Sequence, residues 1–467
     1  MDLTKGNPLK SILIFMLPIL LSLLFQQVYT ISDAAIVGQN LSSSEVAGVN
    51  DVYGLFYIVI QFAFGCTAGF SVVTSNKAGA KDEKGMRKSF AVQIFLCILI
   101  SLILTIIVLP LTENLLGIIG IKEDSSVYKY AYGYLFIIYA GLFTQIFYNL
   151  AVSVLRSIGD SLAPLMFLIG STIINIILDV LFIVVFHFGV EGAAFATILS
   201  QFLAAFISFI YIYFRYPILR LRKEDLRFSL SDIWLHIKLG LPLAFQFSIL
   251  AIGLIILQSA VIHFDLSGVE NCQNGYGVAV KFNDLMMTPF NALGAAILSY
   301  QGQNFGAGDL KRIQRGFKNS MVLMLAFYLI FGGAAALLAI NGTFASFFLS
   351  ASSLNDRVRF YASTYIFIDS AFYFFLGSLF VFRNTLQGIG KSVFPLLSGF
   401  AELIARSLIC TFIPRLIDPA NPISDKAYIG LCFSDSFAWC LAALVMLYGI
   451  IHYVIKGKIM PKGKEID

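Results

Sequence analysis

The sequence predicts an all-α membrane protein of twelve transmembrane helices, arranged as two six-helix bundles. Three observations carry this. The 467 residues are 58% hydrophobic and only 13% charged, with a mean hydropathy of +0.84, whereas a soluble chain has about a quarter of its residues charged. Apolar runs long enough to cross a bilayer, which takes about 20 residues, recur along the whole chain. Three local patterns also repeat at nearly one offset, halfway along.

The elements follow in order. The run 11–38, after Lys5 and Lys10, is too long for a signal-peptide core and lacks a small-residue cleavage site, so it is the first span. The second, 46–76, ends before GAKD (79–82), and the third covers 89–112. The fourth, 130–155, leads into LRSIGDSLAP (155–164). The fifth, 163–187, carries Asn175 and Asp179, and the sixth, 189–214, carries Thr197. A polar stretch, 215–232, separates these from the seventh span, 233–263, which contains Pro242 and Gln246. The eighth, 273–304, carries Lys281, Asn283 and Asp284 and precedes GAGD (306–309). The ninth covers 317–341, and the tenth, 358–383, carries Asp369 and leads into LQGIGKSVFP (386–395). The eleventh, 395–416, carries Glu402 and Arg406, and the twelfth, 428–455, carries Asp435. The expected domains are an N-lobe at 1–214, a linker at 215–232 and a C-lobe at 233–467.

Orientation follows from Lys and Arg. With the N-terminus cytoplasmic, 23 of them, including Arg156 and Arg383, fall on the inner side and 6 on the outer side, a bias that sets topology. Both termini are then cytoplasmic. LRSIGDSLAP and LQGIGKSVFP are 231 residues apart, GAKD and GAGD 227, and Pro18 and Pro242 224. Each half has an even number of spans, so the halves enter the membrane alike and relate by a pseudo-two-fold axis along its normal, with a cavity between them. Transporters are built this way.

Several functions are excluded. No nucleophile elbow, phosphate loop or metal-ligand cluster is present, so neither an enzyme nor a nucleotide-driven pump is expected, and no cofactor. No basic stripe interleaved with aromatics points to nucleic acid. The six cysteines have no metal spacing and imply no disulfide framework. His187, His236, His263 and His452 stand at span ends without His partners.

Ionisable residues at bilayer depth are costly and are functional candidates. Asp33 precedes the outer end of its span by about 7 Å of helix. Asp179 precedes its outer end by about 12 Å, and Thr197 lies about 12 Å down the returning span. Asn175 is one turn deeper than Asp179 on the same face. Taken singly, Asp33 reads as a residue of the outer mouth and Asn175 as a bond between helices. Together, two carboxylates, an amide and a hydroxyl suit a proton or a hard cation such as sodium. In the second half, Lys281 with Asp284 and Glu402 with Arg406 read as internal ion pairs. Asp369 and Asp435 are left as acids of a candidate C-lobe cavity. Aromatics such as Tyr29, Phe56, Phe64, Phe147, Phe290 and Tyr373 are able to stack on organic cations, though abundant Phe assigns none of them.

FQQVYTISDAAIVG (25–38), LRSIGDSLAP, NIILDVLFI (175–183) and GVEGAAFAT (189–197) resemble, in order and spacing, the multidrug and toxic compound extrusion family. The resemblance spans the chain and is closest to the bacterial group with acids in the N-lobe. It departs in the seventh span, which has Gln246 but no acid. The resemblance implies alternating access, export of amphipathic organic cations, and proton or sodium coupling at Asp33, Asn175, Asp179 and Thr197. Pro18 would bend the first span. The expected partners are an organic cation and membrane lipid, with no obligate protein partner. The competing reading is a lipid-linked saccharide flippase of the same superfamily, in which the cavity would be cationic rather than acidic.

Overall fold

Helix boundaries are written into the loops between apolar runs. The structure, a computed structural model, describes residues 1–265, 271–349 and 354–459, and the regular elements among them are helical. Lys462 and Lys464 lie outside these residues. In chain order the helices are α1 (Pro8–Asn40), α2 (Ser43–Gly79), α3 (Glu83–Val108), α4 (Thr112–Ile118), α5 (Tyr128–Ala140), α6 (Leu142–Ser157), α7 (Leu162–Asp179) and α8 (Gly189–Arg215). They continue with α9 (Leu230–Ile262), α10 (Asn271–Ala307), α11 (Leu310–Phe327), α12 (Gly333–Asn341), α13 (Asp356–Gly388), α14 (Val393–Ile417) and α15 (Asp425–Gly449). Wide, π-type turns extend α7 (Val180–Val185) and α15 (Ile450–Ile455) and join α11 to α12 (Tyr328–Gly332).

Ten helical stretches among the described residues are long and apolar enough to cross a membrane. The pair α5–α6, bent by 47° at Gly141, makes an eleventh. α10 matches the eighth expected span and has 37 residues, but Lys281, Asn283 and Asp284 make it too polar to read as a span by apolarity alone. The outward surface is apolar: Ile106, Phe214, Leu329 and Leu416 are each about two-thirds or more exposed. Water would oppose such a surface, and hydrocarbon accepts it.

The repeated motifs have a local cause. Asp82 and Asp309 cap α3 and α11, accepting 2.8 Å bonds from the backbone N–H of Gly85 and Arg312. Such caps satisfy donors that a helix start leaves unpaired. Gly79 and Gly306 mark a close backbone crossing: a Cβ on either would sit 1.7–1.8 Å from the carbonyl oxygen of Gln303 or Asn76. Gly159 and Gly390, 231 residues apart, both take positive φ after α6 and α13, which only glycine adopts without cost.

The helices form two compact units. The first comprises Met1–Lys5, Ile14–Ser248 and Gly302–Ala307. Its core packs α2, α3 and α6 through Phe70, Phe90, Leu96, Ile146 and Leu150, and α5 and α8 through Leu135, Tyr139 and Ala194. The first part of α9 belongs here too. His236, 2% exposed, meets the Asp232 carbonyl at Nδ1 (2.8 Å) and Ser89 Oγ at Nε2 (2.8 Å). A carbonyl only accepts, so Nδ1 carries the proton and Ser89 donates to Nε2. The second unit draws on Gly6–Leu13, Ile249–Gln301 and the described residues from Gly308 onward. In it α15 packs along α14 and α13.

Candidate functional site

In the first unit, α1, α7 and α8 bring together the residues singled out from the sequence. Asn175 and Asp179, one turn apart on α7, are both fully buried. Asp33 of α1 is partly buried and lies within interaction range of Asp179. Thr197 of α8 faces the hydroxyl of Tyr29, one turn before Asp33, and Tyr29 lies in electrostatic reach of both carboxylates. Buried Tyr134 of α5 faces the same pair. In the sequence Tyr29 is one aromatic among many, and nothing in the pattern sets Tyr134 apart. A tyrosine in an apolar run looks like packing until its neighbours are known.

Asp33 and Asp179 lie within hydrogen-bond reach of each other, a contact that needs a shared proton or a cation between them, and no other protein group bonds to the buried Asp33 Oδ1, either Asp179 oxygen or either polar atom of the Asn175 amide. Among the described residues neither acid has a basic partner within ion-pair distance. A buried charge without a partner is strongly disfavoured, so this group fits a proton or a hard monovalent cation. Two carboxylates, one amide and one hydroxyl supply oxygens enough for either. α7 ends at Asp179, where the wide turn Val180–Val185 begins. Such turns inside helices often mark functional positions, and no pattern in the sequence announced this one.

The second unit corrects several expectations. Asp435 has partners: it accepts a 2.5 Å bond from Arg406 Nε and one from the Tyr365 hydroxyl. Glu402 pairs most closely with Arg383 at 2.5 Å, and its contact with Arg406 is 4.0 Å. Arg383, counted above among inner-side charges, is 6% exposed and belongs to this buried network. α13, α14 and α15 each contribute, so sequence spacing could reveal only the Glu402–Arg406 contact within α14. Lys281 and Asp284 are both exposed, and no ion pair joins them among the described residues. Asp369, fully buried, accepts from Asn283 Nδ2 at 3.2 Å and Ser436 Oγ at 3.0 Å, and Tyr373 donates to Asn283. Asp369 therefore has neutral donors where Asp435 has a guanidinium.

Comparison with known proteins adds to this geometry. The chain is 29% identical over 318 residues to the probable multidrug resistance protein YpnP of Bacillus subtilis (strain 168), covering 67% of this chain and 68% of that protein. It is 25% identical over 462 residues to the probable multidrug resistance protein YoeA of the same organism, covering 97% and 96%. A solved structure described as the outward-facing conformation of a multidrug resistance MATE family transporter superposes with a TM-score of 0.86 at 21% identity, over 98% of each chain. That likeness shows the fold. The family model MatE matches residues 18–181 and 242–411, which takes in Pro18, Asp33, Asn175, Asp179, Asp369 and Arg406. The chain belongs to the MatE family of multidrug and toxic compound extrusion transporters.

Proposed function

We propose that the chain is a secondary active antiporter that exports amphipathic, cationic organic compounds in exchange for protons or sodium. One observation carries this reading: Asp33 and Asp179 are neighbouring acids inside membrane helices, facing each other with no basic residue or protein donor on their buried oxygens. The names of the curated relatives, multidrug resistance proteins, support the substrate class.

Coupling works by competition. A proton or sodium at Asp33 and Asp179 removes the negative charge that favours a cationic drug, so each ligand selects a different state. Asn175 and Thr197 complete the ion site. Pro18, inside α1, removes the bond its position would otherwise donate and leaves a bend that responds to loading. Asp369 is a second position able to take a proton, whereas Asp435 is held by Arg406. The proposed organisation is an N-lobe (1–214), a linker (215–232) and a C-lobe (233–467). Both termini face the cytoplasm of a bacterial cell, and neither cofactor nor obligate protein partner is needed. The acids also favour export of cations over the flippase reading, in which a pyrophosphate would require a basic cavity.

The test is efflux of a fluorescent organic cation from vesicles of purified protein, with proton and sodium gradients imposed separately. At least one gradient alone should drive accumulation against the substrate's own gradient. Equilibration without uphill movement under either gradient would refute the antiport.

A further inference from the structure

The α7–α8 hairpin is antiparallel, its helices pack along each other, and Thr197 bonds to Tyr29, which lies in electrostatic reach of Asp179. That fixes the register of its two inner faces. One turn towards the cytoplasm, about 5.4 Å, α7 presents Asn175 and α8 presents Gln201. Residues four apart share a helix face, so Gln201 stands below Thr197 as Asn175 stands below Asp179. The Gln201 Oε1 atom is buried and has no protein hydrogen-bond partner, and the same holds for Asn175 Oδ1. Asn175 is itself fully buried. An unmade bond at a buried amide is costly, and the helix register brings two such oxygens to one level, one turn below the Asp33–Asp179 pair.

We propose that Gln201 is a further ligand of the coupling ion, its carboxamide oxygen forming with Asn175 an inner rung that accepts sodium and not a proton. This rests on the coupling site proposed above. The division of labour is chemical. The outer rung, Asp33, Asp179 and Thr197, supplies charge and takes either ion. The inner rung is neutral: an amide oxygen is too weak a base to hold a proton near neutral pH, but it replaces a water in the shell of a hard cation, as carbonyl oxygens do in ion filters. Gln201 thus sets which ion is used, while the acids set whether any ion is used.

The test uses purified full-length protein in detergent and in vesicles. Sodium binding is read from the rise in melting temperature with sodium at constant ionic strength: a ligand that binds only the folded state adds RT ln(1 + [L]/Kd) to its stability, so fitting the rise gives the half-saturating concentration. Gln201→Leu should raise the half-saturating sodium concentration about tenfold, the loss of one interaction with a charged partner. Gln201→Glu, which keeps an oxygen at that place, should restore it. Efflux driven by a proton gradient without sodium should stay within about twofold of the parent in Gln201→Leu. If the Leu variant does not fold, Gln201→Met, of nearly the same length, carries the comparison. An unmoved sodium midpoint, a parent protein with no sodium response, or equal loss of proton-driven efflux would each overturn the assignment. Asp179→Asn separates this from the coupling site itself. Loss of both ion responses there, with only the sodium response weakened in Gln201→Leu, is the expected pair. Retention of both in Asp179→Asn would remove the coupling site, while the Gln201 midpoint still reports on its own ligand.

Discussion

Asp179, Asp435 and Asp82 are the same residue in three environments, and each environment assigns a different role. Asp179 is buried against Asp33, with no basic residue or protein donor on either oxygen. Asp435 is buried but held by the Arg406 guanidinium. Asp82, part exposed in the loop after α2, caps α3 and also meets Lys77 at 3.0 Å. The Gly85 N–H, aided by Lys77, holds the Asp82 carboxyl below its ordinary value. Asp82→Ala should therefore destabilise the protein by about 1 kcal/mol, the usual worth of such a cap, as measured by thermal unfolding in detergent. Because the folded-state value is lowered, the contribution is complete above the unfolded value, about 3.9, and fades as pH falls through the lowered one. The difference between parent and variant should be flat from neutral pH to about 5 and shrink below about 4. A difference that grows on acidification would contradict the assignment. The cap was legible as GAKD and GAGD, a repeat with an Asp at one place. The role of Asp435 was not, because its partner lies on another helix.

Among the elements, α13 and α14 are joined by Arg383 and Glu402, each under a tenth exposed and 2.5 Å apart. Breaking a buried pair by removing one partner typically costs about 3–5 kcal/mol, whereas replacing both by apolar groups is often neutral. Glu402→Leu alone should thus depress the melting temperature strongly, and Arg383→Leu with Glu402→Leu should recover most of the loss. Exchanging the two charges is a poorer test, because it sets a new guanidinium beside Arg406, which lies 4.0 Å from Glu402. If the double variant is as unstable as the single, the pair is not what the two helices depend on. Span positions were readable from apolar runs because hydrocarbon thickness fixes their length. The bend at Gly141 and the wide turn after Asp179 were not, since both lie where α8 packs close, Ile198 against Gly141 and Gly192 against Phe182, and neither breaks the run of apolar residues. α10 shows the opposite case: its polar residues lower the apolarity of a helix long enough to span, yet 273–304 still reads as a span among the neighbouring runs.

At the scale of the molecule, export requires that loading an ion and releasing a substrate be linked, and the proposal puts that link at two acids on α1 and α7. The family and the fold were both legible from the order of motifs, because the residues that cap and cross helices recur in each half. The division of the second unit's acids into paired and unpaired ones was not, because it depends on contacts among α13, α14 and α15. The most direct measurement is gradient-driven uptake of an organic cation into vesicles by the parent, Asp33→Asn and Asp179→Asn proteins, with Asp51→Asn, at an exposed position of α2, as control. All four should fold with similar melting temperatures, since Asn is nearly the shape of Asp and neutralising one of two facing acids that lack a basic partner removes an electrostatic cost. Asp33→Asn and Asp179→Asn should each lose uphill transport while Asp51→Asn keeps it. Full-rate uphill transport by either of the first two variants, under the gradient that drives the parent, would contradict the coupling site.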